Sequence, residues 1–256
     1  CFLSHAREQA ALAKHGVPLE VQERFRYRRS LFDIAADAVD QRSLFFLSEH
    51  FRSHPQIIGF SNRQFYDQAL CLMTSRPARD LAPAIEVRQI SGRRDERSSV
   101  NRKEVAAALE IVESIAEAAS GDDPPSIGIV SPFRDQADAV RERLIEALPA
   151  RVLERHAIVA GTAHALQGDE KDVVILSTSI DADSHPASLR FLETPNLFNV
   201  AITRARRKLI VLASVAVDDL PAGLLREFLA YASGPWSPHL PTDESGSEFE
   251  RQIVER

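Results

Sequence analysis

An α/β fold, with a mainly parallel sheet flanked by helices, is what this 256-residue sequence predicts. Two observations carry the expectation. Short, almost uninterrupted apolar runs recur through the middle of the chain, and residues spaced on a helical repeat lie between them. A strand buried on both faces has no side to show to water, so it reads as a continuous apolar run instead of an alternation. Buried strands joined through helices imply right-handed crossovers in one layered domain.

Leu44–Leu47 (LFFL) is the first such run and is expected to open the sheet. A helix follows where Val105, Leu109, Val112 and Ile115 recur at helical spacing. The run 126–131 (SIGIVS) is the next strand, and Phe133, Ala137, Val140, Leu144 and Ala147 mark the helix after it. Further strands are expected at 157–162 (AIVAGT), 173–177 (VVILS) and 209–213 (LIVLA), which places the layered domain at residues 41–232. Ahead of it, residues 1–40 hold a helix around His5–His15 and the basic run Arg24, Arg26, Arg28, Arg29, read as a remnant or insertion preceding the core. Residues 233–247 are dense in Pro, Ser and Gly and read as a linker. Beyond it, Ser247 and Glu250 have capping-box spacing, so 248–256 is expected to start a helix of a truncated following domain. That start is similar to the opening of a restriction-endonuclease-like domain of the very-short-patch-repair type.

Composition narrows the function classes. With 44% hydrophobic and 27% charged residues, the chain can bury one sizeable core. A net charge of −6 excludes a protein held to nucleic acid by bulk positive charge, so any polyanion must meet a local strip of donors. The two cysteines, Cys1 and Cys71, have no CxxC spacing, which argues against a disulfide framework or structural zinc and suggests a reducing, cytoplasmic setting. No apolar run is long enough to span a membrane.

Four blocks carry the chemistry. The first runs LSEHFRSHP from Leu47 to Pro55, followed by Ile57, Ile58, Phe60, Asn62, Phe65 and Tyr66. The second is IVSPFRDQ, Ile129 to Gln136. The third, GTAHALQGDEKD, spans Gly161 to Asp172, and the fourth, FNVAITRAR, spans Phe198 to Arg206. In this order and spacing they resemble motifs of the second RecA-like motor domain of superfamily 1 helicases of the nonsense-mediated-decay-factor type. The first block corresponds to motif IV, the third to motif V and the fourth to motif VI.

The resemblance implies a domain that faces a first RecA-like domain bearing the phosphate loop, with ATP and Mg²⁺ in the cleft between them and held mainly by that first domain. It implies that Arg52 and Arg204 act as arginine fingers. Such residue types suit phosphoryl transfer, because a planar guanidinium can meet two phosphate oxygens as negative charge spreads in the transition state. It further implies that Gln167, Gly168 and Glu170 line the nucleotide cleft, Glu170 as the ribose contact, and that Thr162 and Ser131 bond the backbone of single-stranded DNA or RNA. Movement from 5′ to 3′ is implied in the same way. Two departures stand out: His164-Ala165 within motif V, and Arg206 where motif VI commonly has lysine.

Absences matter as much. None of the four lysines, Lys14, Lys103, Lys171 and Lys208, precedes Ser or Thr, so the sequence holds no GxxxxGK[ST] loop. Asp243-Glu244 imitates the acidic pair of a Walker B motif but sits in the Pro-rich segment. Two other enzyme-like spacings occur. Asp169-Glu170-Lys171 has the D-x-K spacing of a metal-dependent nuclease, and His50 and His54 have the spacing of a zinc pair without an evident third ligand. A non-catalytic binding or scaffolding module with the same fold is the alternative from another class. The presence of both arginines argues for the motor.

Overall fold

The middle of the chain forms a five-stranded, fully parallel sheet, seen here in a computed structural model that describes residues 5–18, 21, 31–40, 43–74, 83–163, 165–166 and 168–235. Two compact units divide at Ser48/Glu49. The first unit contains helices α1 (His5–Lys14) and α2 (Leu31–Ala38). The basic run at 24–29, the helix expected at 248–256, most of the linker and the Asp243-Glu244 pair lie outside the described residues.

Leu44–Leu47 is not a strand. Phe45 is 86% exposed and Leu47 88% exposed, and the segment has no regular structure. A four-residue apolar run signals burial without specifying a sheet neighbour, and no strand pairs with it here.

The second unit begins with a short parallel pair, β1 (Glu49–His50) and β2 (Cys71–Leu72), which flank helix α3 (Pro55–Phe65). Then come β3 (Ile85–Gln89), α4 (Arg102–Ala118), β4 (Ile127–Val130), α5 (Arg134–Ala147), α6 (Ala150–Arg155), β5 (Val159–Gly161), β6 (Lys171–Asp181), α7 (Pro186–Leu192), α8 (Pro195–Ile202), β7 (Ala205–Ser214) and α9 (Leu224–Ser233). The sheet order is β3-β7-β6-β4-β5. The place expected for Leu44–Leu47 is thus filled by β3, a strand whose IEVRQ alternation marks it as half-exposed and whose position at the edge explains why it needs no continuous apolar run.

The apolar runs of β6 and β7 feed two cores. Successive side chains point to opposite faces, so Val173, Ile175, Ile210 and Leu212 pack with Val105, Leu109 and Val112 of α4 and Val140 and Leu144 of α5. Val174, Leu176, Leu209 and Val211 face the other way, toward Ile57 and Phe60 of α3, Phe198 of α8 and Phe228 of α9. Phe60, Phe198 and Phe228 meet edge to face, with Phe228 centroids 5.1 Å and 5.4 Å from the other two. Each such fully buried side chain contributes about 1.5–3 kcal/mol.

A polar seam closes the carboxyl ends of the central strands. Asn101 caps α4, and Glu104, three residues into the helix, is completely buried. Its carboxyl accepts from the Ser177 hydroxyl (2.7 Å), the Ser179 N–H (2.9 Å) and the Ser214 hydroxyl (2.7 Å). Gln136 of α5 joins the seam by donating to Ser177 Oγ (2.8 Å) and accepting from Asn101 N–H (2.8 Å). Burial pushes the Glu104 carboxyl up to about 7, against the pull of those hydrogen bonds and with help from the nearby Asp181 charge. Ser179 sits at φ 49° within a bulge of β6 against β7, a conformation sparsely adopted by non-glycine residues.

Candidate functional site

The register of two strands builds the site. Lys171, the first residue of β6, pairs with Ala205, the first of β7, and its N–H donates to the Arg204 carbonyl at 3.1 Å. Glu170 and Arg204 therefore arrive side by side at the amino-terminal edge of the sheet. Arg204 occupies the turn between α8, whose C-cap is Thr203, and β7, and its Nε donates back to the Val200 carbonyl at 3.3 Å.

Motif IV reaches the same edge by a backbone clasp. His54 N–H donates to the Arg206 carbonyl at 2.9 Å, fastening the entry of α3 to the start of β7. His54 Nδ1 accepts from the Gln56 N–H at 3.1 Å and Pro55 occupies the first turn, so the helix starts where the sequence HP dictates. Gln56 in turn accepts from Ala84 and Ile85 N–H, tying α3 to β3. The turn before the helix carries Arg52, whose Nε lies 2.9 Å from Glu170 Oε1. Both side chains are more than one third exposed. Such a pair contributes only about 0–1 kcal/mol.

The electrostatics of this edge are unbalanced. Burial lowers the Arg204 pKa and the Arg52 charge lowers it further, while Glu170 and Asp169 oppose them. Arg52 thus stands close enough to Arg204 to disfavour the charge on Arg204. Arg206, 51% exposed, lies 3.7 Å from Asp172, and Arg207 is exposed, so both belong to a solvated face.

The rest of motif V is a loop riveted to the sheet. Leu166 is fully buried beneath it. A Cβ at Gly128 would come within 2.9 Å of the Lys171 side chain and force a shift, and one at Gly161 would come to 3.0 Å from Leu166 Cδ1, so that Leu166 would have to yield by a few tenths of an ångström. Gly168 differs, because its surroundings are open but its φ is +88°. Gly168→Ala is expected to destabilise the fold by roughly 1 kcal/mol through that backbone conformation alone. A urea titration monitored by circular dichroism measures it, and an unchanged midpoint would contradict the conformational role. Gln167 and His164 lie outside the described residues.

Thr162 and Ser131 sit elsewhere. They follow the carboxyl ends of β5 and β4, on the edge of the sheet opposite Arg52, Glu170 and Arg204. Thr162 is half-buried beside an apolar hollow formed with Pro132, Ala163, Leu176 and Phe198. Ser131 is 1% exposed, its N–H donates to the Gly161 carbonyl, and its hydroxyl accepts from the Phe133 N–H at 3.3 Å. Its N–H is held by the neighbouring strand and its hydroxyl by the helix that follows, which fits helix entry more than ligand contact.

The nuclease and zinc spacings dissolve in three dimensions. Lys171 is 6% exposed, and its ammonium bonds the Ala157 carbonyl (2.9 Å) and Asp169 (3.2 Å). His50 Nε2 accepts from the Ser53 N–H at 3.0 Å, and His54 caps α3, so each ring serves the backbone. Among the described residues no cluster of three or more His, Cys, Asp or Glu could hold a metal ion, and no helix is long and apolar enough to cross a membrane.

Sequence reasoning passed over Glu104 and read His50 as part of a motif and of a zinc-like spacing, not as a backbone acceptor. The signal for the first was present, since Asn101 with Glu104 three residues later is an N-terminal helix signature before an apolar stripe.

Comparison with known proteins supplies the context. The family model described as an AAA domain matches residues 27–216. Helicase SEN1 of Saccharomyces cerevisiae is 29% identical over 231 residues, covering 81% of this chain and 10% of its own length. The helicase-named mov-10-B.1 of Danio rerio is 27% identical over 229 residues, 78% of this chain and 22% of its own. The 5'-3' DNA helicase ZGRF1 of Mus musculus is 27% identical over 177 residues, 66% of this chain and 9% of its own. The chain thus spans between 9% and 22% of the length of these relatives.

Proposed function

From its membership of the AAA-domain family, in which it is the second RecA-like domain of a superfamily 1 helicase, we propose that this chain supplies two arginine fingers to an interdomain ATP site. One observation carries the reading: Arg52 and Arg204, distant in sequence, share one sheet edge with Glu170 between them. An Arg204 whose charge is disfavoured by burial and by the neighbouring Arg52 forms with it a site that a polyphosphate relieves.

The Arg52–Glu170 pair is the resting state of that site. Because a pair this exposed contributes at most about 1 kcal/mol, a phosphate can take Arg52 from it at little cost. Glu170 is then free to accept from a ribose hydroxyl. Gly168, and Gln167 beside it in the sequence, would complete the nucleotide-facing surface. The phosphate loop and the carboxylates that hold Mg²⁺ would come from the first RecA-like domain of the same polypeptide, and the phosphoryl group leaves ATP within a cleft that both domains close. Single-stranded DNA or RNA would run along the opposite edge. There Thr162 is the better phosphate contact, since Ser131 is almost wholly buried.

The absence of a GxxxxGK[ST] loop in this sequence sets the test. Calorimetric titration of the chain with a non-hydrolysable ATP analogue and Mg²⁺ is expected to show no micromolar binding, and the chain alone no ATP turnover. Micromolar affinity of this chain by itself would overturn the division of labour.

A further inference from the structure

We infer that His50 is a positioning residue for Arg52, its imidazole acting as the acceptor that fixes the turn presenting the guanidinium. The inference rests on the reading of Arg52 as an arginine finger. The Ser53 N–H donates to His50 Nε2 at 3.0 Å, closing the turn around Arg52 from the inside. The remaining holds all lie on its flanks. Met73 N–H donates to the His50 carbonyl (2.9 Å), the Thr74 hydroxyl donates to the Ser53 carbonyl (3.1 Å), and His54 N–H donates to Arg206. Ser53 is fully buried, so without the imidazole its N–H would be left unsatisfied and the turn would move to find water.

Only one state of the ring can do this. A neutral imidazole with its lone pair on Nε2 accepts the bond, whereas an imidazolium carries a proton on both nitrogens and turns the contact into two opposed donors. Burial and the Arg52 charge keep the ring neutral below the ordinary histidine range, against the opposing pull of Glu170. The other charged or titratable neighbours are Glu49 on the same strand and Cys71 on β2, which pairs with Glu49 and not with His50. Acid thus places a second positive charge beside Arg52 and removes the bond that aims it.

The test uses the full-length helicase, with ATP turnover stimulated by oligodeoxythymidine or oligouridine and followed from about pH 5.5 to 8. The wild type is expected to lose kcat toward the acid end. His50→Ala is expected to lower kcat roughly tenfold at neutral pH with little change in the KM for ATP, since misaiming one group by a fraction of an ångström has effects of that order. His50→Gln offers an amide oxygen that accepts the Ser53 N–H at every pH, so it should recover most of the turnover and lack the acid limb. Thermal melting checks folding, and if His50→Ala does not fold, the pH profile of His50→Gln decides. Normal turnover in a folded His50→Ala enzyme, with Arg52→Ala impaired, overturns the positioning role and leaves the finger standing. A His50→Gln enzyme that keeps the wild-type acid limb overturns it equally. Normal turnover in Arg52→Ala removes the reading beneath it.

Discussion

On the proposed reading, Arg204→Ala in the full-length protein is expected to lower kcat for ATP by about a thousandfold or more, because an arginine finger contributes ~10³–10⁵ in rate. The KM for ATP should change far less. The proposed phosphate loop and Mg²⁺ of a first domain would supply the ground-state contacts, whereas a guanidinium aimed at the equatorial oxygens matters most as charge spreads in the transition state. Arg204→Lys should rescue poorly, since a point charge cannot reproduce two planar donors. The alternative is a residue that merely steadies its own turn through the 3.3 Å bond to the Val200 carbonyl. In that case the substitution would affect stability by at most about 1 kcal/mol and leave turnover intact. Nucleic-acid-stimulated turnover of wild type and mutant, with melting to check the fold, separates the two. Near-normal kcat in a folded Arg204→Ala enzyme would remove the catalytic assignment.

The second large effect is on stability and belongs to Glu104. Its folded pKa, about 7, stands above the ordinary glutamate value of 4.5, so between those values the folded state binds a proton that the unfolded state has released. Stability is therefore highest below the unfolded pKa, falls as pH rises from 4.5 toward 7, and levels off above it. At roughly 1.4 kcal/mol per unit, the loss amounts to about 3 kcal/mol by pH 8. Glu104→Gln keeps an oxygen for the Ser179 N–H and Ser177 hydroxyl and turns a donor toward Ser214, without a charge to bury. It should abolish that part of the pH dependence and leave the variant more stable than wild type at pH 8. Glu104→Ala should be destabilising at every pH, because it strands the hydrogen-bonding groups of Ser177, Ser179 and Ser214 around a void. Denaturant titrations at pH 5 and pH 8 decide: equal pH dependence in wild type and Glu104→Gln would show that this carboxyl is ionised throughout.

Much of the sheet was legible because its chemistry is local. Val173–Leu176 and Leu209–Leu212 are apolar on both faces, and both faces turn out to be covered. Two parts of it were not. Leu44–Leu47 has the composition of a buried strand without the partners, while Ile85–Gln89 has the partner without the uniform composition, because an edge strand meets water on part of its surface. The extension of β6 past Ser177, through Thr178 and Ser179, was hidden for another reason. Three hydroxyl residues resemble the end of a strand, and only the buried Glu104 carboxyl, supplied by a distant helix, makes them interior. The same holds for the site. Sequence supplies Arg52, Glu170 and Arg204 as separate motif members, but their meeting depends on the Lys171–Ala205 register and the His54–Arg206 clasp, neither of which has a local signature.

The loop from Thr162 to Glu170 joins the two opposite edges of the sheet, and Leu166 nails its midpoint into the core. Leu166 is thus a peg seated between two described ends, so Thr162 on one side and Glu170 on the other share one anchor in the core. Loosening that peg would unsettle both ends at once, whereas a change at either end leaves the peg in place.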